Sequence, residues 1–249
     1  MPPQGTPPFV MFSQQHWLAI ALTLLLTMAV PFIIKRIQSE RVTKVVTIGF
    51  GVIILISKAA EPFLRIASFE SWRHVLPLHL CDIGGILTGI MLINRNYFLY
   101  EINYFWALGG TALAMLTPEL RNGFPHLDYF FYFFNHGIII ICVIFATVLF
   151  KYRPTLKSIG RAVLTAMCYA ALIAPFNWIL DTNYLYLCRK PTIPTLMDYL
   201  GPWPWYILSL VPVSFIIFFF YYSPFWIADL VRKPAAKLSS GRDRSLLES

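Results

Sequence analysis

The sequence predicts an all-α protein, a polytopic bundle of about seven transmembrane helices with its N-terminus outside the cell and its C-terminus in the cytoplasm. The chain of 249 residues is 57% hydrophobic and only 13% charged, which is too apolar for an ordinary soluble domain. Seven mostly apolar stretches have about the 20 residues that a helix needs to cross roughly 30 Å of hydrocarbon. Basic residues gather in alternate loops between them, and the apolar runs are continuous, whereas barrel strands alternate.

The seven predicted spans follow one another with short polar loops between them and comprise residues 17–34, 42–63, 75–93, 97–116, 129–150, 162–180 and 203–226. The second contains Lys58 and Glu61, which lie one helical turn apart and are placed to pair with each other. The fourth contains Glu101 and Asn103. We therefore expect a short exposed segment (1–15), a transmembrane domain (16–230) and a basic, disordered cytoplasmic tail (231–249).

Lysines and arginines favour one side of the membrane. With seven spans, fourteen of them share the side of the C-terminus: Lys35, Arg36, Arg41, Lys44, Arg95, Lys151, Arg153, Lys157, Arg161, Arg232, Lys233, Lys237, Arg242 and Arg244. The opposite side has six: Lys58, Arg65, Arg73, Arg121, Arg189 and Lys190. The positive-inside rule then predicts a cytoplasmic C-terminus. Because this bias accounts for the net charge of +8, we expect membrane lipids and no nucleic acid as partners; the oligomeric state is not indicated.

Polar residues of several spans fall at one level on the predicted outer side. Cys81 would lie six residues into the third span, about 9 Å below its outer end, with His79 and Asp82 beside it. Asn135 and His136 fall at a similar depth in the fifth span, and the even-numbered spans finish near Glu119, Asn177 and Asp181. A lone histidine in a membrane helix is often only an interhelical hydrogen-bonding residue. Because ionisable groups at membrane depth normally face a cavity or one another, the shared level predicts an outward-facing polar pocket.

A cysteine and a histidine supply the parts for thiol nucleophilic catalysis. Residues two apart on a regular helix differ by about 200°, so His79 and Cys81 cannot share one face. The favoured arrangement therefore has Cys81 as nucleophile and His136 as general base, with Asp82 orienting His79 or lining the pocket. Asn135 and Asn177 would donate to a developing oxyanion, with Glu119 at the mouth. A pocket within a leaflet suits an acyl chain, which indicates a lipid acyltransferase or ester hydrolase.

Other interpretations use the same residues. The ligand chemistry would suit zinc, but paired spacing such as Cys-x-x-Cys is absent, so we expect no metal or cofactor. A small-solute or ion permease would place His79, Asp82, Glu119 and His136 along its path, although the sequence lacks the repeated halves of many transporters. Cys188 falls in an outer loop, and a disulfide between it and Cys81 would end the nucleophile hypothesis.

Several segments resemble the YwaF-type family of bacterial integral membrane proteins. They are PLHLCDIGGIL at 77–87, YFWALGGTALAMLTPEL at 104–120, FPHLDYFFYFFNHGIII at 124–140, NWILDTNYLYLCRKP at 177–191 and LMDYLGPWPWYI at 196–207. That family is similar to an animal transmembrane family implicated in phospholipid acyl transfer through a cysteine, and more distantly to membrane hydrolases of fatty-acid esters. The resemblance implies a multi-pass protein of a bacterial plasma membrane, with the nucleophile at Cys81 and the base at His136.

Overall fold

The computed structural model describes residues 7–67 and 71–247, and within these ranges the chain forms seven helices. They are α1 (Gln14–Ile37), α2 (Glu40–Ala67), α3 (Leu80–Asn94), α4 (97–116), α5 (Leu127–Leu149), α6 (Leu156–Leu180) and α7 (Trp205–Leu247). Helix α4 is continuous but has three parts, Tyr97–Phe105, a π-helical turn at Trp106–Thr111, and Ala112–Leu116. The predicted all-α fold is confirmed.

Polar caps explain where several helices begin. The Ser13 side chain accepts from the His16 N–H at the start of α1, and Asn96 accepts from the Leu99 N–H at the start of α4. A Thr155–Ser158 capping box starts α6, six residues before the predicted span at 162. Hydropathy missed this first turn because its residues are polar, while the cap satisfies amide N–H groups that have no partner within the helix.

The third predicted span begins too early. Residues 72–74 form a short 3-10 turn, and α3 begins only at Leu80, with His79 as its N-cap. Pro77 explains the delay, because proline disfavours helical geometry in the residue before it and lacks an amide hydrogen. Cys81 and Asp82 therefore lie in the first turn of α3. The expected depth of about six residues below the end of a helix was wrong for Cys81.

Within the described residues, five helices are long and apolar enough to cross a membrane: α1, the part of α2 at Glu40–Ile66, α5, α6, and the part of α7 at Trp205–Val231. The chain is thus a multi-pass membrane protein. Helix α3 is apolar but has only 15 residues. Large side chains such as Met28 and Trp178 are 77% and 86% exposed, as expected for helix faces that contact lipid. The membrane-crossing role of α3 and α4 and the orientation of the bundle stay predictions.

Close backbone contact between α2 and α3 prepares the site. A Cβ added at Gly89 would lie 3.0 Å from the carbonyl oxygen of Gly51 and 2.7 Å from Leu55 Cγ. Small residues at such positions let two helices approach more closely than larger side chains allow. Consequently the last turns of α2 lie directly against the first turn of α3.

The helices alternate in direction, so their ends form two groups. We call the site end the one that carries the first turns of α1, α3, α5 and α7 and the loops 117–126 and 181–204. At this end residues 7–13 pair with the loop after α4, through hydrogen bonds from the Phe9 N–H to the Arg121 carbonyl and from the Gly123 N–H to the Pro7 carbonyl. Residues 1–6 of the predicted exposed segment lie outside the described residues.

At the opposite end, ionic contacts tie the helices together. Arg153 donates to both carboxylate oxygens of Asp229, at 2.9 and 2.8 Å. The buried Glu101 carboxylate accepts from the Ser158 hydroxyl and, at 2.6 Å, from the Arg161 guanidinium. Helix α7 continues to Leu247, so its backbone is helical through most of the segment expected to be a disordered tail (231–249).

Candidate functional site

A buried ion cluster lies at the site end, where α2, α3 and α5 meet. Lys58 Nζ lies 2.7 Å from Asp82 Oδ1 and 3.0 Å from Glu61 Oε2, and the lysine side chain is only 3% exposed. The Asn135 amide donates to Glu61 Oε2 at 3.0 Å, and its carbonyl oxygen accepts from Ser57 at 2.6 Å. The predicted pairing of Lys58 with Glu61 is confirmed, and the lysine additionally bridges two helices. Such a charge is tolerated in the bundle because it is paired on both sides.

Gly85 makes the room that Lys58 needs. A Cβ at this position would lie 3.0 Å from Lys58 Cε and 3.3 Å from Ile139 Cδ1. The lysine stem thus crosses α3 over a bare stretch of backbone to reach Asp82.

Cys81, the second residue of α3, is partly exposed and has a free thiol. Its Sγ accepts from the Thr111 hydroxyl at 3.8 Å, and Thr111 is the last residue of the π-helical turn of α4. All four cysteines of the chain are free, so the disulfide considered between Cys81 and Cys188 is not formed. The backbone N–H groups of Leu80 and Cys81 have no hydrogen-bond partner among the described residues, as is usual for the first turn of a helix.

His136 has a defined tautomer. Its Nδ1 lies 2.7 Å from the Tyr132 carbonyl oxygen, and because a carbonyl only accepts, Nδ1 carries the hydrogen. In the neutral ring the lone pair is then on Nε2. The imidazole stacks on the Tyr132 ring at a centroid distance of 4.1 Å, and the Tyr132 hydroxyl donates to the Ala114 carbonyl of α4 at 2.7 Å. The histidine is therefore fixed from two helices.

Tyr132 also links this histidine to the cysteine. Its hydroxyl lies within electrostatic range of Cys81, while its ring contacts His136. Asp82 in turn acts electrostatically on both His79 and His136. No hydrogen bond between Cys81 and His136 occurs in the part of the chain that the structure describes, and the catalytic pair stays a prediction.

A polar cleft of about 220 Å³ opens beside this group. It is lined by His74, His79, Glu119, Thr182, Asn183, Tyr184, Tyr186, Arg189, Lys190 and Thr192. The His79 ring lies between two tyrosines, 5.1 Å from the ring centroid of Tyr184 and 5.6 Å from that of Tyr186. Thus His79 lines the cleft. Of the residues that follow it in α3, Cys81 carries the free thiol and Asp82 belongs to the ion cluster.

Glu119 fastens the loop after α6 to the end of α4. Its Oε1 accepts from the Thr192 N–H at 3.0 Å and the Thr192 hydroxyl at 2.7 Å, and its Oε2 accepts from the Tyr186 hydroxyl at 2.7 Å. Burial by itself raises the pKa of Glu119, but these hydrogen bonds outweigh it and hold the pKa below its ordinary value. Burial raises the pKa of Tyr186, so its hydroxyl stays protonated and donates.

Asn177 and Asp181 serve the same loop. The Asn177 oxygen accepts from the Tyr184 N–H at 2.7 Å and the Thr182 hydroxyl at 3.0 Å, and its NH₂ donates to the Tyr184 carbonyl at 2.9 Å. Asp181 is the exposed C-cap of α6, with φ of 53°. Asn177 therefore shapes the turn, and the oxyanion role suggested for it and for Asn135 has no support in their hydrogen bonds, which are to protein groups.

Sequence reasoning missed several residues of the site, above all Thr111, Tyr132 and Tyr186. The four-residue spacing of Tyr132 and His136 on one helix was a usable signal, because such residues lie on the same face. Nothing in the sequence indicated that Tyr186 would reach Glu119. The described residues contain no group of three or more His, Cys, Asp and Glu side chains that could hold a metal ion.

Comparison with known proteins identifies a family. The family model described as "TMEM164 family" matches residues 11–222, which include the whole ion cluster, Cys81, His136 and the cleft. No curated protein and no solved structure matches the chain.

Proposed function

The chain belongs to the TMEM164 family of membrane proteins, and from that premise we propose that it is a lipid acyltransferase or ester hydrolase that uses Cys81 and His136. The resemblance of its motifs to YwaF-type bacterial proteins is compatible with this function. The bacterial plasma membrane and an outward-facing site end belong to the same proposal.

The observation that carries the proposal is the fixed tautomer of His136. The hydrogen bond from Nδ1 to Tyr132 leaves the Nε2 lone pair as a base. Tyr132 holds this ring by stacking, and the free thiol of Cys81 lies in the first turn of α3. A nucleophile, a base and a group that orients the base are the parts that covalent catalysis requires.

The ion cluster acts as a brace between the two proposed catalytic residues. Asp82 follows Cys81 directly in α3, and Asn135 precedes His136 directly in α5. Lys58 and Glu61 of α2 connect Asp82 to Asn135 through contacts of 2.7 and 3.0 Å. The brace thus sets the spacing between α3 and α5, and its members are positioning residues.

The chemistry proceeds in two balanced halves. Cys81 Sγ attacks the ester carbonyl carbon of a phospholipid while its proton moves to His136 Nε2, directly at roughly 2.6–3.2 Å or through one water. The carbon–oxygen bond then breaks, and the leaving lysolipid oxygen takes the proton from the imidazolium. In the second half, a lysolipid hydroxyl or water gives its proton to His136 and attacks the thioester carbonyl carbon; the carbon–sulfur bond breaks, and the imidazolium returns the proton to Cys81 Sγ. The free N–H groups of Leu80 and Cys81 would stabilise the oxyanion in each half.

The test compares purified protein with Cys81→Ala and His136→Ala variants in nanodiscs that contain acyl-radiolabelled phospholipid. The proposal expects acyl redistribution or fatty-acid release by the wild type and its loss in both variants. Cys168→Ala is the matched control, because Cys168 is an exposed cysteine of α6 that has no part in the site. Unchanged acyl redistribution in both site variants rules the chemistry out.

A second candidate is a small-solute or ion permease, and the observation that favours it is Asn103. Among the described residues, neither side-chain polar atom of this asparagine has a hydrogen-bond partner, although it is 1% exposed. It lies beside Gly84, whose added Cβ would be 3.8 Å from Asn103 Oδ1, so polar groups continue inward from Asp82. A permease would show pH-dependent flux of a small solute or ion into liposomes, and this flux would change in His79→Ala or Asp82→Ala. An absence of flux excludes the permease.

A further inference from the structure

We propose that the cleft at the site end binds the phosphate group of a phospholipid, with Arg189 and Lys190 as its cationic ligands. The inference deepens the proposed function and rests on it, because the phosphate would position the ester of the same lipid for Cys81. It gives the cleft a ligand chemistry of its own, separate from the reacting groups.

The charge of the cleft favours an anion. Two basic side chains, Arg189 and Lys190, line it together with two histidines, against one carboxylate. That carboxylate, Glu119, already accepts three hydrogen bonds from Thr192 and Tyr186. The negative charge of Glu119 is thus already stabilised by groups of the loop, whereas the positive charges of Arg189 and Lys190 are not neutralised by comparable contacts among the described residues.

Arg189 is available and held in place. Its guanidinium makes no ion pair or hydrogen bond within the described part of the chain. Its backbone is fixed by Asn183, whose Oδ1 accepts from the Arg189 N–H at 3.1 Å and whose NH₂ donates to the Arg189 carbonyl at 2.8 Å. A guanidinium on a pre-organised backbone suits a phosphate, which it binds through two parallel hydrogen bonds.

Lys190 adds a second cation at the edge of the cleft. Its Nζ lies 3.4 Å from the Asp198 carbonyl oxygen and 5.6 Å from the ring centroid of Tyr206. Since these partners carry no full negative charge, the ammonium keeps its capacity to bind an anion. Adjacent cations on one loop then face the same ligand.

Two observations favour a lipid over a soluble phosphate ester. His79 lines the cleft and is the N-cap of α3, two residues before Cys81, and in a glycerophospholipid only a few bonds separate the phosphate from an ester. The loop residues Tyr199 and Trp203 and the first residue of α7, Trp205, are 88%, 62% and 62% exposed. Exposed aromatic side chains of this kind are typical of the membrane–water interface, where lipid phosphates lie.

The experiment measures binding with full-length protein that carries Cys81→Ala, in lipid-free detergent, so that no ligand is turned over. The probes are a short-chain phosphatidylcholine, the diacylglycerol with the same chains, and glycerophosphate. We expect the phospholipid to bind at least about tenfold more tightly than the diacylglycerol, the difference that one charge-assisted contact provides. Arg189→Gln combined with Lys190→Gln should abolish this preference, Arg189→Lys should retain part of it, and Arg121→Gln, at an exposed arginine of the same end, should leave it intact.

The possible results distinguish a phospholipid from a soluble phosphate ester as the ligand of the cleft. The inference is overturned if the preference for phospholipid over diacylglycerol persists in the double variant, or if the protein with the unaltered cleft shows no such preference. If the double variant does not fold, the single variants at Arg189 and Lys190 answer the question. Glycerophosphate that binds as tightly as the phospholipid assigns the cleft to a soluble ester and overturns the lipid source. Phosphate preference without any Cys81-dependent acyl transfer by the wild type contradicts the proposed function alone; acyl transfer without phosphate preference contradicts this inference alone.

Discussion

Lys58 Nζ lies 2.7 Å from Asp82 Oδ1, so a buried lysine of α2 is bonded to the residue that follows Cys81 in α3. The same ammonium contacts Glu61, whose carboxylate holds Asn135, the residue before His136. The separation of the thiol and the imidazole therefore depends on one ionic brace. We therefore expect the removal of Lys58 to affect folding and the proposed function together.

Removing the lysine should destabilise the protein strongly. In Lys58→Met, Asp82 and Glu61 lose their shared counter-ion in a mostly buried place, which costs about 3 kcal/mol or more. Thermal unfolding in detergent measures the loss. Lys44→Met, at an exposed lysine of the same helix, is the control and should change stability by less than about 0.5 kcal/mol. Equal effects of the two substitutions would show that the brace carries no stability.

Gly85→Ala tests the brace without removing a charge. The new Cβ would lie 3.0 Å from Lys58 Cε, so the lysine stem must move away from Asp82. We expect a loss of about 1–3 kcal/mol in stability, as for other overpacked positions, and a lower rate of acyl transfer. Gly49→Ala is the matched control in α2, where an added Cβ meets no atom within 4 Å. The control should be neutral or stabilising, because alanine favours a helix by up to about 1 kcal/mol over glycine; a stabilised Gly85→Ala would contradict the packing argument.

Tyr132 offers a test of how the proposed base is held. Tyr132→Phe keeps the ring that stacks on His136 and removes only the hydrogen bond to Ala114, which is worth about 1 kcal/mol. Tyr132→Ala also removes the ring. We expect acyl transfer to fall much further in the alanine variant than in the phenylalanine variant. Similar rates in both, at similar protein stability, would show that stacking does not orient the imidazole.

The lowered pKa of Glu119 predicts that docking of the loop after α6 depends on pH. Because the pKa of Glu119 is lowered in the folded protein, Glu119 binds a proton more readily when the loop after α6 is undocked. The docked state therefore gains stability as the pH rises. The contribution should be complete above the ordinary glutamate pKa of about 4.3 and lost as the pH falls below it. Hydrogen exchange of residues 182–192, corrected for intrinsic rates, measures this. Glu119→Gln should exchange faster than wild type at neutral pH and show little further change on acidification; full protection in that variant contradicts the assignment.

Hydropathy predicted most of the fold because lipid contact selects apolar residues over a fixed length. It placed α4 at 97–116 correctly, but it started α3 at residue 75 because it ignored the restriction that Pro77 imposes. The shared level of the polar residues predicted a common pocket, but Cys81 lies in the first turn of α3 and not six residues below its end. Hydropathy could not predict contacts between distant parts of the chain, such as that of Lys58 with Asp82, because a single sequence does not say which faces of two helices meet.

The central claim is tested most directly by mass spectrometry of the wild-type protein after incubation with a phospholipid that carries one isotopically labelled acyl chain. The account predicts the labelled acyl group as a thioester on Cys81, lost when a lysolipid acceptor is added and never formed in His136→Ala. Labelled acyl transfer that proceeds at an unchanged rate in Cys81→Ala, with no acyl group on Cys81 of the wild type, would contradict it.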